Sequence, residues 1–184
     1  MKKVKKFELT NEFITNMFGT KLFRIRALVE FGDVEAGELG GYVEKESNLG
    51  HDDNAWVYDN AWVYGNARVY GDAQVSGDAL VYGNARVYGN AWVYGNAWVY
   101  GNAWVYGNAL VCSDEDYAYA HGFGSVNRTT TFFRLKDGGV GVRCGCFYGT
   151  LAQFRDKIRE THGETKKAQE YLMLADLMKL RFEK

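Results

Sequence analysis

Two cysteines and a histidine near the C-terminus carry the most direct chemical suggestion in this chain. Cys144 and Cys146 lie two apart on a predicted strand, so both thiols are expected to face the same way. His162 falls at the end of a predicted helix that would pack on that strand. Two thiolates and an imidazole make three of the four ligands of a structural zinc, with Cys112 or His121 as the fourth. The spacing is not the usual pair of cysteines separated by two residues. Two other readings fit the same residues. They are small buried cysteines in a sheet–helix layer with His162 answering the helix dipole, or a Cys–His nucleophile pair. Asn127–Thr131 offers hydroxyls and Arg128, a set that could cradle a phosphate, although such a run is more often an ordinary exposed strand edge. The cluster Lys2, Lys3, Lys5 and Lys6 reads as a solvated end.

A second kind of site lies in the aromatic residues. The 184-residue chain has 29 of them (5 Trp, 13 Tyr and 11 Phe), together with 22 glycines and no proline. Most trace to one repeat. From Asn54 to Ser113 the chain runs through ten hexads without insertion, beginning NAWVYD, NAWVYG, NARVYG and ending NAWVYG, NALVCS. Six residues are too few for a hairpin and do not suit a helical repeat. Each hexad instead offers a short strand, a Gly-Asn corner that tolerates left-handed backbone angles, and a small Ala.

This pattern resembles the left-handed parallel β-helix, in which three hexads form one triangular coil. There an aliphatic residue points inward and a small residue follows four positions later, as Val57 with Ala61 and Val63 with Ala67 do here. The resemblance implies that residues eighteen apart stack at about 4.8 Å per coil, giving a prism roughly 16 Å tall with a dry Val and Ala interior. Residues flanking each Val then point outward. The first face carries Trp56, Gln74, Trp92 and Leu110 with Tyr58, Ser76, Tyr94 and Cys112. The second carries Trp62, Leu80 and Trp98 beside Tyr64, Tyr82 and Tyr100. The third carries Arg68, Arg86 and Trp104 beside Tyr70, Tyr88 and Tyr106. The second face has no charge, and monomers rarely leave such a patch bare. Self-association as a dimer or trimer, cover by the flanking segments, or a host-protein partner would each account for it. Direct nucleic-acid binding is disfavoured, because Arg68 and Arg86 are a thin positive patch and the hexads carry Asp59, Asp72 and Asp78 as well.

The flanks divide the chain into a capping segment at 1–53, the hexads at 54–113 and a C-terminal domain at 114–184. Lys21–Val29 alternates as a strand, and Phe31–Val43 is a glycine-punctuated turn region. Residues 31–49 (FGDVEAGELGGYVEKESNL) resemble the segment leading into the hexads of acyltransferase-like β-helix proteins. Those enzymes place a general-base His on a loop thrown out of the coil. Here the hexads are unbroken and contain no His; His51 precedes them and His121 follows, so an acyltransferase is the least favoured reading.

In the tail, Thr129–Leu135 and Val140–Phe147 read as a hairpin, and Thr150-Leu151-Ala152-Gln153 as a capping box. Helices follow, the first presenting Leu151, Phe154 and Ile158 and ending at Gly163. The second runs from about Thr165 to Phe182, with Ala168, Tyr171, Leu172, Ala175 and Met178 as its stripe. The expected architecture is therefore mainly β: a capped left-handed β-helix followed by a small ββαα domain. Gly124-Ser125, Asn127–Phe133, Cys144–Phe147, Gly149-Thr150 and Thr161–Gly163 resemble a module of bacteriophages and prophages of Gram-positive bacteria. That resemblance implies phage origin without implying an activity.

A net charge of −1, a hydrophobic share of 47% and three cysteines argue against a disordered polycation or a disulfide framework. No apolar run is long enough for a membrane span, and no apolar segment follows the basic start, so a cytoplasmic location is expected. The expected function is a phage-encoded, non-enzymatic binding protein, such as an inhibitor of bacterial antiviral defence with a CRISPR–Cas nuclease as one candidate target. The alternative is a phage structural or assembly protein.

Overall fold

The computed structural model describes residues 5–183. Lys2 and Lys3 of the N-terminal cluster lie outside the described residues. The first three strands are β1 (Phe7–Thr15), β2 (Lys21–Ala27) and β3 (Leu39–Val43). Ten two-residue strands follow at intervals of six: β4 (Trp56–Val57), β5 (Trp62–Val63), β6 (Arg68–Val69), β7 (Gln74–Val75), β8 (Leu80–Val81), β9 (Arg86–Val87), β10 (Trp92–Val93), β11 (Trp98–Val99), β12 (Trp104–Val105) and β13 (Leu110–Val111). From β4 to β10, each pairs in parallel with the strand eighteen residues on, as in Trp62↔Leu80↔Trp98. The result is a three-sided parallel β-solenoid whose hexad Val and Ala side chains are all buried.

The corners explain the glycine content. From Gly65 to Gly107, the corner glycines have φ between 65° and 72°. A Cβ on Gly83 would also stand 3.1 Å from the Gly101 nitrogen one turn below. The neighbouring Asn residues form ladders along the edges, Asn66 donating to Asn84 (3.2 Å) and Asn84 to Asn102 (3.1 Å).

The coil begins before the hexads do. β3 pairs in parallel with β5, and Leu49 bridges to Val69, so residues 39–50 supply a further turn and the stack reaches about four turns. Gly40 and Gly41 permit that approach: a Cβ would lie 2.5 Å from the Val57 carbonyl and 2.6 Å from that of Ala61, respectively. β2 and β1 then add antiparallel, extending the second-face sheet in the order β1-β2-β3-β5-β8-β11. The strand expected at Lys21–Val29 is thus present as β2, while β1 is an element the sequence reading did not name.

Between turns, the outward residue, the Tyr and the Asn of a hexad donate their N–H groups to carbonyls of the next turn. Examples are Trp62 to Ala79 (2.9 Å), Tyr64 to Val81 (3.0 Å) and Asn66 to Gly83 (2.8 Å). At these positions the N-terminal end of the stack therefore presents acceptors and the C-terminal end presents donors. At the N-terminal end, Lys6 Nζ donates to the Asp53 and Ala55 carbonyls (2.8 and 2.7 Å). Asn48 Nδ2 serves Gly65 and Ala67. Lys6 is buried, not part of a solvated end; Lys5 is exposed and paired with Glu46.

The C-terminal domain has four strands where the sequence suggested two. β14 (Tyr117–Phe123), β15 (Arg128–Arg134), β16 (Val140–Cys144) and β17 (Phe147–Thr150) form an antiparallel sheet in that order, followed by α1 (Leu151–His162) and α2 (Lys166–Phe182). Thr150 and Gln153 make the expected capping box, and Gly163 ends α1 with φ of 55°. β15 packs on both sides. Phe133 belongs to the coil core, and Thr131 Oγ1 accepts from Trp104 N–H (3.0 Å). Phe132, on the opposite face, joins Val142, Phe154, Ile158, Tyr171 and Met178. The sheet is a lid across the C-terminal end of the coil, with the helices behind it. Among the described residues, no helix is long and apolar enough to cross a membrane.

Candidate functional site

The second face is held by register. Strand pairing aligns Tyr42, Trp62, Leu80 and Trp98 in one column. Tyr64, Tyr82 and Tyr100 form the adjacent column, their rings stacked at 5.1 and 5.3 Å between centroids. Burial, then the neighbouring phenol, pushes the Tyr64 and Tyr82 hydroxyls above the ordinary tyrosine range. Among the described residues, neither flank covers this face. The cap continues the same sheet sideways, and the lid touches only its lower edge, where Tyr117 and Tyr119 meet Tyr100 edge-on (6.5 and 6.2 Å). Trp98 stays 47% exposed and Tyr100 40%, while Trp62 and Leu80 are half-buried. A cleft of about 310 Å³ opens at the upper end between Ile14, Tyr42, Trp62 and Leu80, with Asn60 and Asp78 completing its lining.

The first face differs at its top. Trp56 lies on the outer side of its strand, as expected, yet is fully buried. Phe7 and Phe31 meet it edge-on at 6.2 and 5.3 Å because the N-terminal segment closes over this turn. Trp92, farther down, remains exposed under the ammonium of Lys136 (3.9 Å).

The third face gathers cations that sequence reasoning only half anticipated. Arg68 and Arg86 are exposed in register, and Arg86 lies over the Trp104 ring at 4.9 Å. The lid adds Arg143, which stacks on Trp104 (5.3 Å) and Tyr106 (5.9 Å) and donates to the Tyr88 hydroxyl (3.2 Å). Tyr148 meets Tyr106 edge-on at 4.6 Å. Neither lid residue was legible as part of this face, because the fold-back of the C-terminal segment puts them there. A cavity of about 850 Å³ at the top of the face is lined by Arg68, Arg86 and Lys5 and equally by Glu46, Asp52 and Asp53. Its charges are balanced.

The proposed zinc ligands are not brought together. Cys144 ends β16 and is buried, accepting from Thr130 Oγ1 (3.1 Å) and lying 3.8 Å from the Tyr171 hydroxyl. Cys146 is exposed in the two-residue turn between β16 and β17, with Gly145 at φ of 59°. The expectation of two thiols on one strand fails for that reason: the chain reverses between them. His162 stacks on the ring of Tyr171 (5.8 Å), and His121 on β14 pairs with Thr129 of β15 (2.9 Å). Cys112 stands on the first face, its thiol donating to Asp116 (2.8 Å), a bond that first of all pushes its pKa up. Among the described residues, no three His, Cys, Asp or Glu side chains are grouped to hold a metal.

Other chemistry is equally engaged. Thr130 and Thr131 are buried on an inner strand with hydroxyls committed to Cys144 and Trp104, while Asn127 and Arg128 stay exposed, so the run is not one exposed edge and its last two hydroxyls are already engaged. His51 accepts the Lys6 N–H at Nδ1 (3.3 Å), so its neutral ring carries the proton on Nε2 and offers a donor there, not a base. Its ring stacks on Phe7 at 4.3 Å, and burial lowers its pKa.

A family model described as a YdcK beta solenoid repeat matches residues 61–77, 73–89, 79–95, 85–101 and 91–107, all within the coil. The repeat segment is thus similar to that family, and the flanks lie outside the match. No curated protein matches the chain.

Proposed function

We propose that this chain is a non-enzymatic binding protein, encoded by a bacteriophage, whose second face recognises another protein. The observation that carries the reading is the uncovered aromatic surface of Trp98 and Tyr100, held rigid by the strand register. Side chains already fixed lose little entropy on docking, and Trp and Tyr are favoured anchors. We take the coil as left-handed, the hand that goes with hexads of this kind. The engaged state of His51 and Cys112 supports a role without catalysis. The resemblance of the tail to a phage module supports a target inside a bacterial host. The target class we favour is a component of antiviral defence, with a CRISPR–Cas nuclease as the concrete case.

The test is phage plating on cells carrying an active defence system. Expression of this chain should raise plating at least tenfold against one system in a panel, and Trp98→Lys with Tyr100→Lys should abolish the effect in a protein that still folds. Binding through apolar contacts should persist at moderate salt. An absence of rescue across the panel, together with recovery of the chain in purified virions, would favour a structural role in the particle.

A further inference from the structure

The hairpin joining β1 to β2 ends in an ordered tip. Asn16 is buried, and its Oδ1 accepts from the N–H groups of Phe18 (3.0 Å) and Thr20 (2.9 Å). Its own N–H reaches the Thr20 carbonyl at 3.0 Å, and its carbonyl accepts from Gly19 at 3.0 Å. Gly19 has φ of +81°, a backbone state that favours glycine. This frame presents two large apolar side chains to water: Met17 is 89% exposed and Phe18 80%. Such a turn gains no packing inside the chain, but its order lowers the cost of docking elsewhere.

A seat of suitable size lies on the same part of the molecule. The cleft of about 310 Å³ on the second face takes one wall from Ile14, three residues before Met17, and others from Tyr42, Trp62 and Leu80. That volume sits at the bottom of the range of small-molecule sites, roughly 300–1,000 Å³, and is of the order of the two apolar tip side chains together. Charge is matched as well. Lys21, beside the tip, holds its ammonium over Phe13 (4.3 Å), while Asp78 lines the cleft; among the described residues neither has an ion-pair partner.

We propose that the chain self-associates, the Met17–Phe18 tip of one copy entering the second-face cleft of another. The occupant is a second copy because knob, seat and opposite charges are all supplied by this one sequence. A two-fold axis beside the hairpin carries each tip to the other copy's cleft, closing two identical contacts and leaving none open. Lys21 of each copy then meets Asp78 of the other. Two contacts of this size fall short of a permanent interface, so the dimer is reversible. The inference rests on the second face being a binding surface and gives it a first partner.

Sedimentation equilibrium of the full chain from about 1 µM to about 1 mM should show a monomer–dimer equilibrium. The pair Met17→Lys with Phe18→Lys, and separately Leu80→Lys, should each weaken the dimer at least tenfold with little change in melting temperature. Mixing the tip variant with the cleft variant should restore association, because one intact tip still meets one intact cleft. A monomer throughout the range, or a mixture no tighter than either variant alone, would overturn the proposal. A monomer that still rescues plating would remove self-association and leave the host-binding reading standing. Loss of rescue in tip variants of such a monomer would assign the tip to the host target instead.

Discussion

The two ends of the coil solve opposite problems, and the difference shows what a parallel stack demands of its flanks. At the N-terminal end the positions described above present carbonyls, and the chain brings donors: Lys6 Nζ and Asn48 Nδ2. At the C-terminal end they present N–H groups, and the chain brings acceptors. Asp114 takes Trp98 N–H (2.8 Å), Thr131 takes that of Trp104 (3.0 Å), and Asp116 takes that of Cys112 (3.1 Å). The geometry of cover differs too. The N-terminal strands continue one face edgewise and close over Trp56, whereas the C-terminal sheet lies across the open end. Unpaired backbone at a sheet edge invites further pairing, so both ends must be answered, each with the right polarity.

Three measurements would break or sharpen this comparison. The largest effect is expected at Trp56. Trp56→Ala should cost about 3–5 kcal/mol by denaturant unfolding, with amide protection lost in β1 and β2 and retained in the lid. Trp56→Phe should be far milder, because the indole N–H is buried without a hydrogen-bond partner and its loss removes that burden. Equal loss of protection at both ends would show that the ends are not separable. At the other end, Thr131→Val keeps the shape but strands the Trp104 N–H, which should cost about 1–3 kcal/mol and expose the last turn to exchange. An unchanged midpoint would mean that the bond contributes nothing to the lid.

The smallest effect is in pH. Burial pushes the Lys6 ammonium down to about 8, against an ordinary value near 10.5. Between those values the folded chain has released a proton that the unfolded chain keeps. Stability should therefore rise with pH across that window, and fall as pH drops through about 8. Lys6→Met should flatten the slope. Above pH 10 the trend should reverse, since burial pushes Tyr117 at the opposite end well above the ordinary phenol range, and ionising it opposes folding.

The coil was legible because its signal repeats: Val and Ala at fixed spacing say both what is inside and which residues stack. The tail helices were legible through Thr150, Gln153 and Gly163, whose types match their places at helix ends. What escaped has physical reasons. Phe7–Thr15 carries Asn and Glu on exposed positions, so its strand pattern is diluted. Tyr117–Phe123 has small Ala at alternate positions and offers little contrast between its faces. Cys146 was misplaced because Gly145 makes a turn that the hydrophobic pattern bridges. Arg143 and Tyr148 join the third face only through docking of the lid, which no local pattern encodes.

The eighteen-residue register has a consequence for how the repeat can change in length. Any gain or loss of whole hexads alters the chain in multiples of six residues. Loss of three would shorten the stack by one storey and leave cap and lid aligned over the same faces, since Trp62, Leu80 and Trp98 already follow that step. Loss of one or two would leave every Val inside and every corner glycine in place, yet turn the lid by a third of a revolution against the cap. Arg143 would then no longer meet Trp104. The repeat tolerates such changes locally, while keeping both ends in register requires that hexads be gained or lost in threes.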